Sequence, residues 1–459
     1  IKEKGTVFLL KRKFFVFLLI LLLMVSCDKK QNALPPLEGD IIELASKFVE
    51  KLATNDFAGA VEFFDATMLK ELPEKKLEEV WQTLLQQVGA FQTEISRKVE
   101  EMGQSQIVIL TAQFELAPLD IRMTFNQDKR IIGLFFVPAV RSESSYKPPA
   151  YGQPANFTET EVMIGEAEWQ LPGTLTIPNG NGPFPAVVLV HGSGPNDRDE
   201  TIGITGAHKP FKDLAWGLAN QGIAVLRYDK RTMVYGEKIN KFTFTVREES
   251  IDDALAAVEL LRNHKQINNE KIYILGHSLG GILAPRIGKE AGDRLAGLII
   301  LAGPARPLED LILEQTRYLV AADGETSEQE AEVIRRLETQ VARIKDPALS
   351  PATPAEELLN APASYWLDLR NYKPTETAAA LKLPMLILQG ERDYQVTMED
   401  FALWQQALAS YSHVQFKSYP GLNHLFVSGQ EPSVPSEYEQ PGNVEKIVID
   451  DIAAWIRKH

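Results

Sequence analysis

A chain of 459 residues is long for one hydrophobic core and predicts two or three domains. Its formal charge is −14, from 48 basic and 62 acidic residues, and beyond the first thirteen residues no long basic cluster occurs. Phosphate binding needs clustered Lys and Arg, so nucleic acid is excluded as the main partner.

Lys11, Arg12 and Lys13 precede twelve apolar residues, 14–25, and then Ser26 and Cys27. A basic start, a short apolar run and a small residue predict a secretory leader over residues 1–26. The run is short for a membrane-spanning helix, which takes about 20 residues, and an uncleaved signal anchor is the alternative. Met24-Val25-Ser26-Cys27 resembles a bacterial lipobox. The resemblance implies cleavage before Cys27, a lipid on its thiol, and an exported protein anchored to a membrane on its periplasmic or cell-surface face. Cys27 is the only cysteine, so no intramolecular disulfide can form. Removing residues 1–26 leaves 43 basic against 61 acidic residues, a net −18. Residues 27–40, with Pro35-Pro36, read as a tether.

Residues 41–88 predict helices, because Ile41, Leu44, Ala45, Phe48 and Leu52, then Leu77, Val80, Trp81 and Leu84, recur at spacings of three and four. From Ala90 the period shortens towards two, predicting strands over residues 93–100, 106–114, 121–125 and 131–137. Helices followed by a meander make a small α+β domain over residues 41–140. It resembles the cone-shaped, nuclear-transport-factor-like domain of unassigned function that precedes some secreted hydrolases. No catalytic constellation is visible in it.

Residues 141–156, with Ser142, Ser144, Ser145, Pro148, Pro149, Gly152 and Pro154, have the composition of a linker. In residues 157–459 a lead-in hairpin, 158–178, is followed by apolar runs alternating with helix-period segments. The runs 186–190, 223–226, 272–275, 298–301 and 385–388 predict parallel strands covered on both faces. Gly222 is expected to close one helix as its C′ residue and Ser250 to cap the next. Residues 303–381 hold no convincing strand and predict a helical cap inserted beyond a central strand.

The candidate chemistry centres on Gly276-His277-Ser278-Leu279-Gly280, which follows the apolar run 272–275 and opens a helical stretch. Strand, tight turn and helix around G-x-S-x-G give a strained serine with its hydroxyl held out above the sheet. Ser278 is therefore the candidate nucleophile. A serine needs an adjacent base, itself oriented by a carboxylate. Of seven histidines, His424 in Pro420-Gly421-Leu422-Asn423-His424 lies in a loop after the last strand, where it can lean over the carboxyl end of the sheet. Asp393, just past the strand ending at Gly390, is the candidate carboxylate, with Glu391 and Asp400 as alternatives. The order Ser278, Asp393, His424 is that of α/β hydrolases. The oxyanion would take the Leu279 amide and one from His191-Gly192-Ser193-Gly194-Pro195, with Ser193 the expected donor. Pro285, inside the following helix, removes a backbone bond and is expected to kink it.

Taken together, His191-Gly-Ser-Gly-Pro-Asn-Asp-Arg-Asp199, Arg227-Tyr-Asp-Lys-Arg231, Gly276-His-Ser-Leu-Gly280, Gly390-Glu-Arg-Asp-Tyr-Gln-Val396 and Tyr419-Pro-Gly-Leu-Asn-His424 resemble bacterial α/β-hydrolase-fold carboxylesterases of the EstD-like type, related to serine aminopeptidases. The resemblance spans residues 156–459. It implies a serine esterase with no metal and no cofactor, acting on small, short-acyl esters, with Ser278, Asp393 and His424 as its triad. Two other readings stand beside it. One is a peptidase of the same fold, for which the acidic run Glu325, Glu328, Glu330 and Glu332 could hold a substrate amino terminus. The other is a non-catalytic surface lipoprotein that keeps the fold.

Overall fold

The computed structural model describes residues 34–459 except 90, 103–104, 115–117, 140–145, 204–205, 241, 322–323, 325, 327 and 431. The predicted leader, Cys27, the first part of the tether, the start of the linker and Glu325 lie outside the described residues. Among the described residues no helix is long and apolar enough to cross a membrane. The chain divides into two units, Ile1–Ser144 and Ser145–His459.

In the first unit, helices α1 (Ile41–Ala53), α2 (Phe57–Val61), α3 (Ala66–Glu71) and α4 (Glu74–Val88) precede four strands. The helical stretch is broken where side chains offer caps. Asp40, Asp56 and Asp65 accept from the amides of Ile42, Gly59 and Met68, satisfying donors that a helix start leaves open. Strands β1 (Phe91–Met102), β2 (Ser105–Phe114), β3 (Pro118–Phe125) and β4 (Ile131–Pro138) form an antiparallel meander in that order. Phe48, Trp81, Phe114 and Phe125 are fully buried in its core.

The second unit opens with an antiparallel hairpin, β5 (Phe157–Ile164) and β6 (Leu171–Pro178). Then follow β7 (Phe184–Val190), α5 (Pro210–Ala219), β8 (Ala224–Tyr228), α6 (Arg231–Val234), α7 (Asp252–Arg262), β9 (Ile267–His277), α8 (Leu279–Ala291) and β10 (Gly297–Leu301). The inserted segment carries α9 (Leu308–Ala321), α10 (Glu328–Lys345), α11 (Ala363–Leu369) and α12 (Pro374–Ala379). The chain closes with β11 (Met385–Gly390), α13 (Met398–Leu408), β12 (Val414–Tyr419) and α14 (Lys446–Lys458). The sheet order is β12-β11-β10-β9-β7-β8-β6-β5, parallel from β12 to β8 and antiparallel beyond.

The central strands are apolar throughout because both faces are covered. In β9, Ile272 and Ile274 pack on one face with Ile251, Ala254 and Leu283, whereas Tyr273 and Leu275 pack on the other with Phe211, Ile449 and Ile452.

Two expected helix ends fall elsewhere. Ser250 is buried within a π-helical turn, Arg247–Ile251, that runs into α7, so it caps nothing. The start lies a turn earlier, where Thr245 Oγ1 accepts from the Arg247 amide and Glu248 accepts from the Thr245 amide. That reciprocal pair is a capping box, and it outcompetes a lone serine. Gly222 has φ 82° but stands two residues past the C-cap Asn220, ending the reversal into β8 and not the helix itself.

Candidate active site

Ser278 stands at the junction of β9 and α8, with φ 53° and ψ −117°. A non-glycine residue holds such a conformation only where its surroundings impose it. Here the imposition is close backbone packing. A Cβ on Gly276 would overlap the Gly280 carbonyl, and one on Gly280 would overlap the Val190 carbonyl and lie 2.8 Å from that of His191. The Ser278 amide donates to the Leu301 carbonyl at the end of β10, 3.0 Å away. The amide of Leu279 belongs to the first turn of α8, where helix donors lack intrahelical acceptors.

His424 and Asp393 meet. The imidazole Nδ1 lies 2.7 Å from Asp393 Oδ2, and both side chains are buried. Asp393 is held as an acceptor on every side: Oδ1 takes the amides of Gln395 (2.7 Å) and Val396 (2.9 Å), and Oδ2 also takes Gln389 Nε2 (3.1 Å). Gly390 lets the end of β11 touch the histidine loop, since a Cβ there would lie 2.5 Å from the Leu422 carbonyl. Asn423 shapes that loop, accepting from Leu425 and Val427 and donating to Glu437. The alternatives are engaged elsewhere: Glu391 accepts from Ser418, and Asp400 holds the amides of Ala305 and Arg306. Among the described residues no hydrogen bond joins the Ser278 hydroxyl to His424. Such contacts commonly tighten only when substrate is bound.

The loop after β7 runs against the serine. A Cβ on Gly192 would lie 3.2 Å from Ser278 Cβ and 3.7 Å from its Oγ. The Gly192 amide is itself committed to Glu200 Oε1, at 2.7 Å, so Ser193 supplies the next amide along. This loop is locked to the segment after β8. Arg198 pairs with Asp229, Arg227 with Asp199, and Lys230 Nζ donates to the Gly192 carbonyl at 2.6 Å.

Searches among known proteins find Esterase EstD of Thermotoga maritima, 39% identical over 415 residues, covering 90% of this chain and 94% of the relative. The chain belongs to the EstD-like esterase family. Residues 203–431 match a family described as serine aminopeptidase, S33, and residues 45–134 match a protein family of unknown function (DUF3887). An uncharacterized peptidase of Bacillus subtilis, YtmA, is 25% identical over 210 residues, covering 45% of this chain and 67% of the relative. Among solved structures, Est1E from Butyrivibrio proteoclasticus with ferulic acid bound has a TM-score of 0.44 at 16% identity, covering 65% of this chain and 98% of that one.

This EstD-like chain carries site residues that sequence reasoning did not foresee. His277 lies at the end of β9, next to Ser278, and is buried. Its Nε2 donates to the His424 carbonyl at 3.0 Å, and its Nδ1 lies 2.9 Å from Glu200 Oε2. Burial alone would lower the His277 pKa and raise that of Glu200. Their mutual attraction outweighs burial, so the histidine is raised and the carboxyl is lowered. His191, by contrast, is pushed down to about 4 by burial and stays neutral, its Nε2 donating to the Asp197 carbonyl. The Glu200–His277 pair thus joins the Gly192 loop, the serine turn and the backbone of His424.

Proposed function

We propose that this protein hydrolyses carboxylic esters with short acyl chains through an acyl-serine intermediate. Ser278 Oγ attacks the ester carbonyl while His424 Nε2 takes its proton. The negative charge that develops on the carbonyl oxygen is met by the amides of Ser193 and Leu279. The intermediate collapses, the C–O bond to the alcohol breaks, and His424 returns the proton to the leaving oxygen. Water, deprotonated by the same imidazole, then cleaves the acyl-serine. Asp393 keeps the proton on Nδ1 and stabilises the imidazolium at each half-reaction. The observation that carries this reading is the buried 2.7 Å Asp393–His424 pair, on the loops that border the strained Ser278 turn.

The inserted helices support a role as a cap. Tyr372 in the insertion donates to the Ile282 carbonyl in α8, and Gln315 in α9 donates to the Gln395 carbonyl beside Asp393. Such a cover would exclude water and bound the acyl pocket.

Kinetics on p-nitrophenyl esters of increasing acyl length, set beside aminoacyl-p-nitroanilides, test the substrate class. Fast turnover of the acetate and butyrate esters, falling for long chains, with no anilide cleavage is the expected result. Preferential anilide cleavage would replace the esterase reading with the peptidase one, which the match to the serine aminopeptidase family favours.

We further propose that the mature chain starts at Cys27 and is held to a membrane by lipid on that thiol. Metabolic labelling with palmitate should mark the wild-type chain in its bacterial host and leave Cys27→Ser unlabelled and released from the membrane fraction. Equal labelling of the two would reject the anchor.

A further inference from the structure

The Gly192–Ser193 peptide bond is planar and trans, so the Gly192 carbonyl and the Ser193 amide point in opposite directions from one rigid unit. Whatever grips the carbonyl aims the amide. Lys230 is the closer and the charged grip: its Nζ lies 2.6 Å from the Gly192 oxygen and the residue is 1% exposed, while the neutral Asn196 Nδ2 donates to the same oxygen at 3.3 Å. A buried lysine is costly unless its charge is matched. Glu249 Oε1 matches it at 2.6 Å, and Glu249 Oε2 accepts from the Tyr365 hydroxyl at 2.8 Å, from α11 of the insertion. Glu249 is also buried. The Gly192 amide at the other end is fixed by Glu200.

We propose that Lys230, held in place by Glu249, is a positioning residue for the oxyanion-binding amide of Ser193. The inference rests on the reading of Ser278 and Ser193 given above. A cation on a carbonyl draws electron density from the whole amide, which makes the opposite N–H a stronger donor, and burial keeps the effect from being screened. Lys230 therefore does two things to one peptide: it sets the direction of the Ser193 N–H and strengthens the bond that N–H makes. That bond gains most when the substrate oxygen carries charge, so the contribution belongs to the transition state and not to ground-state binding.

The test compares full-length wild type with Lys230→Met/Glu249→Gln, which removes the charge pair together and leaves no unmatched buried ion. Kinetics on p-nitrophenyl acetate are measured beside the inhibition constant of an alkyl trifluoromethyl ketone, whose serine adduct bears an oxyanion. The expected result is a fall in kcat on the order of 10²-fold with KM within about twofold. The ketone should weaken by a similar factor, with cooperative melting retained. If the double variant does not fold, Glu249→Gln carries the test, with a smaller fall in kcat matched by the loss of ketone affinity. A folded variant with wild-type kcat, or one that loses kcat while binding the ketone as wild type does, overturns the inference. Ser278→Ala separates the two levels. If it is inactive while the Lys230 variants are unaffected, only this inference fails; if it stays active, the reading of the site itself fails.

Discussion

Ser278→Ala is expected to lower kcat on p-nitrophenyl acetate by about 10⁴-fold or more, with the folded structure kept. The size follows from the role. Without the hydroxyl no acyl-enzyme can form, and the amides and pocket can act only on direct attack by water. Alanine fits the backbone, because the turn is imposed by contacts of Gly276 and Gly280 that the substitution leaves alone. Relief of a polar side chain in a strained position should leave the melting temperature unchanged or slightly raised. A fluorophosphonate probe should label the wild type at one site per chain and the variant not at all. A variant retaining a tenth of wild-type activity, or still labelled, would remove Ser278 from the mechanism.

The parts of the molecule governed by short-range pattern were legible in the sequence. The run Ala186–Val190 reads as a strand covered on both faces because each of its residues is apolar, and each is fully buried in the sheet. The serine turn is legible for a related reason: Gly276 and Gly280 are required by backbone contacts within five residues or with the adjacent strand. What sequence reading did not reach depends on partners far apart in the chain. Glu200 lies in a loop like many others until it meets His277, 77 residues on, across a buried 2.9 Å gap. Lys230 lies in a stretch that carries the family resemblance, but its pairing with Glu249, 19 residues on, and its contact with Gly192 arise only when folding buries them together. Ser250 fails differently. It is a good cap by composition, but Thr245 and Glu248 form a two-sided cap one turn earlier and set the start of the helix. Charges in a chain of this composition are ordinarily solvated, so nothing local distinguishes the few that are not.

Asp393→Asn is the sharper test, because it changes one atom and its effect can be worked out bond by bond. Oδ1 of Asp393 accepts two backbone amides, those of Gln395 and Val396, and neither can become an acceptor. The asparagine carbonyl must therefore take that side, which turns its NH₂ towards His424 Nδ1. An NH₂ there can only donate, so Nδ1 must accept and the ring proton moves to Nε2. The nitrogen that should take the serine proton is then already protonated. The NH₂ also faces Gln389 Nε2, donor against donor, in a buried setting. The wrong tautomer should lower kcat by about 10⁴-fold near neutral pH with KM little changed. The unmatched donors should lower stability by about 1–3 kcal/mol, read from chemical denaturation. A variant within tenfold of wild-type kcat would mean that the carboxylate does not set the tautomer of His424, and the proton path drawn through Ser278 would have to be abandoned.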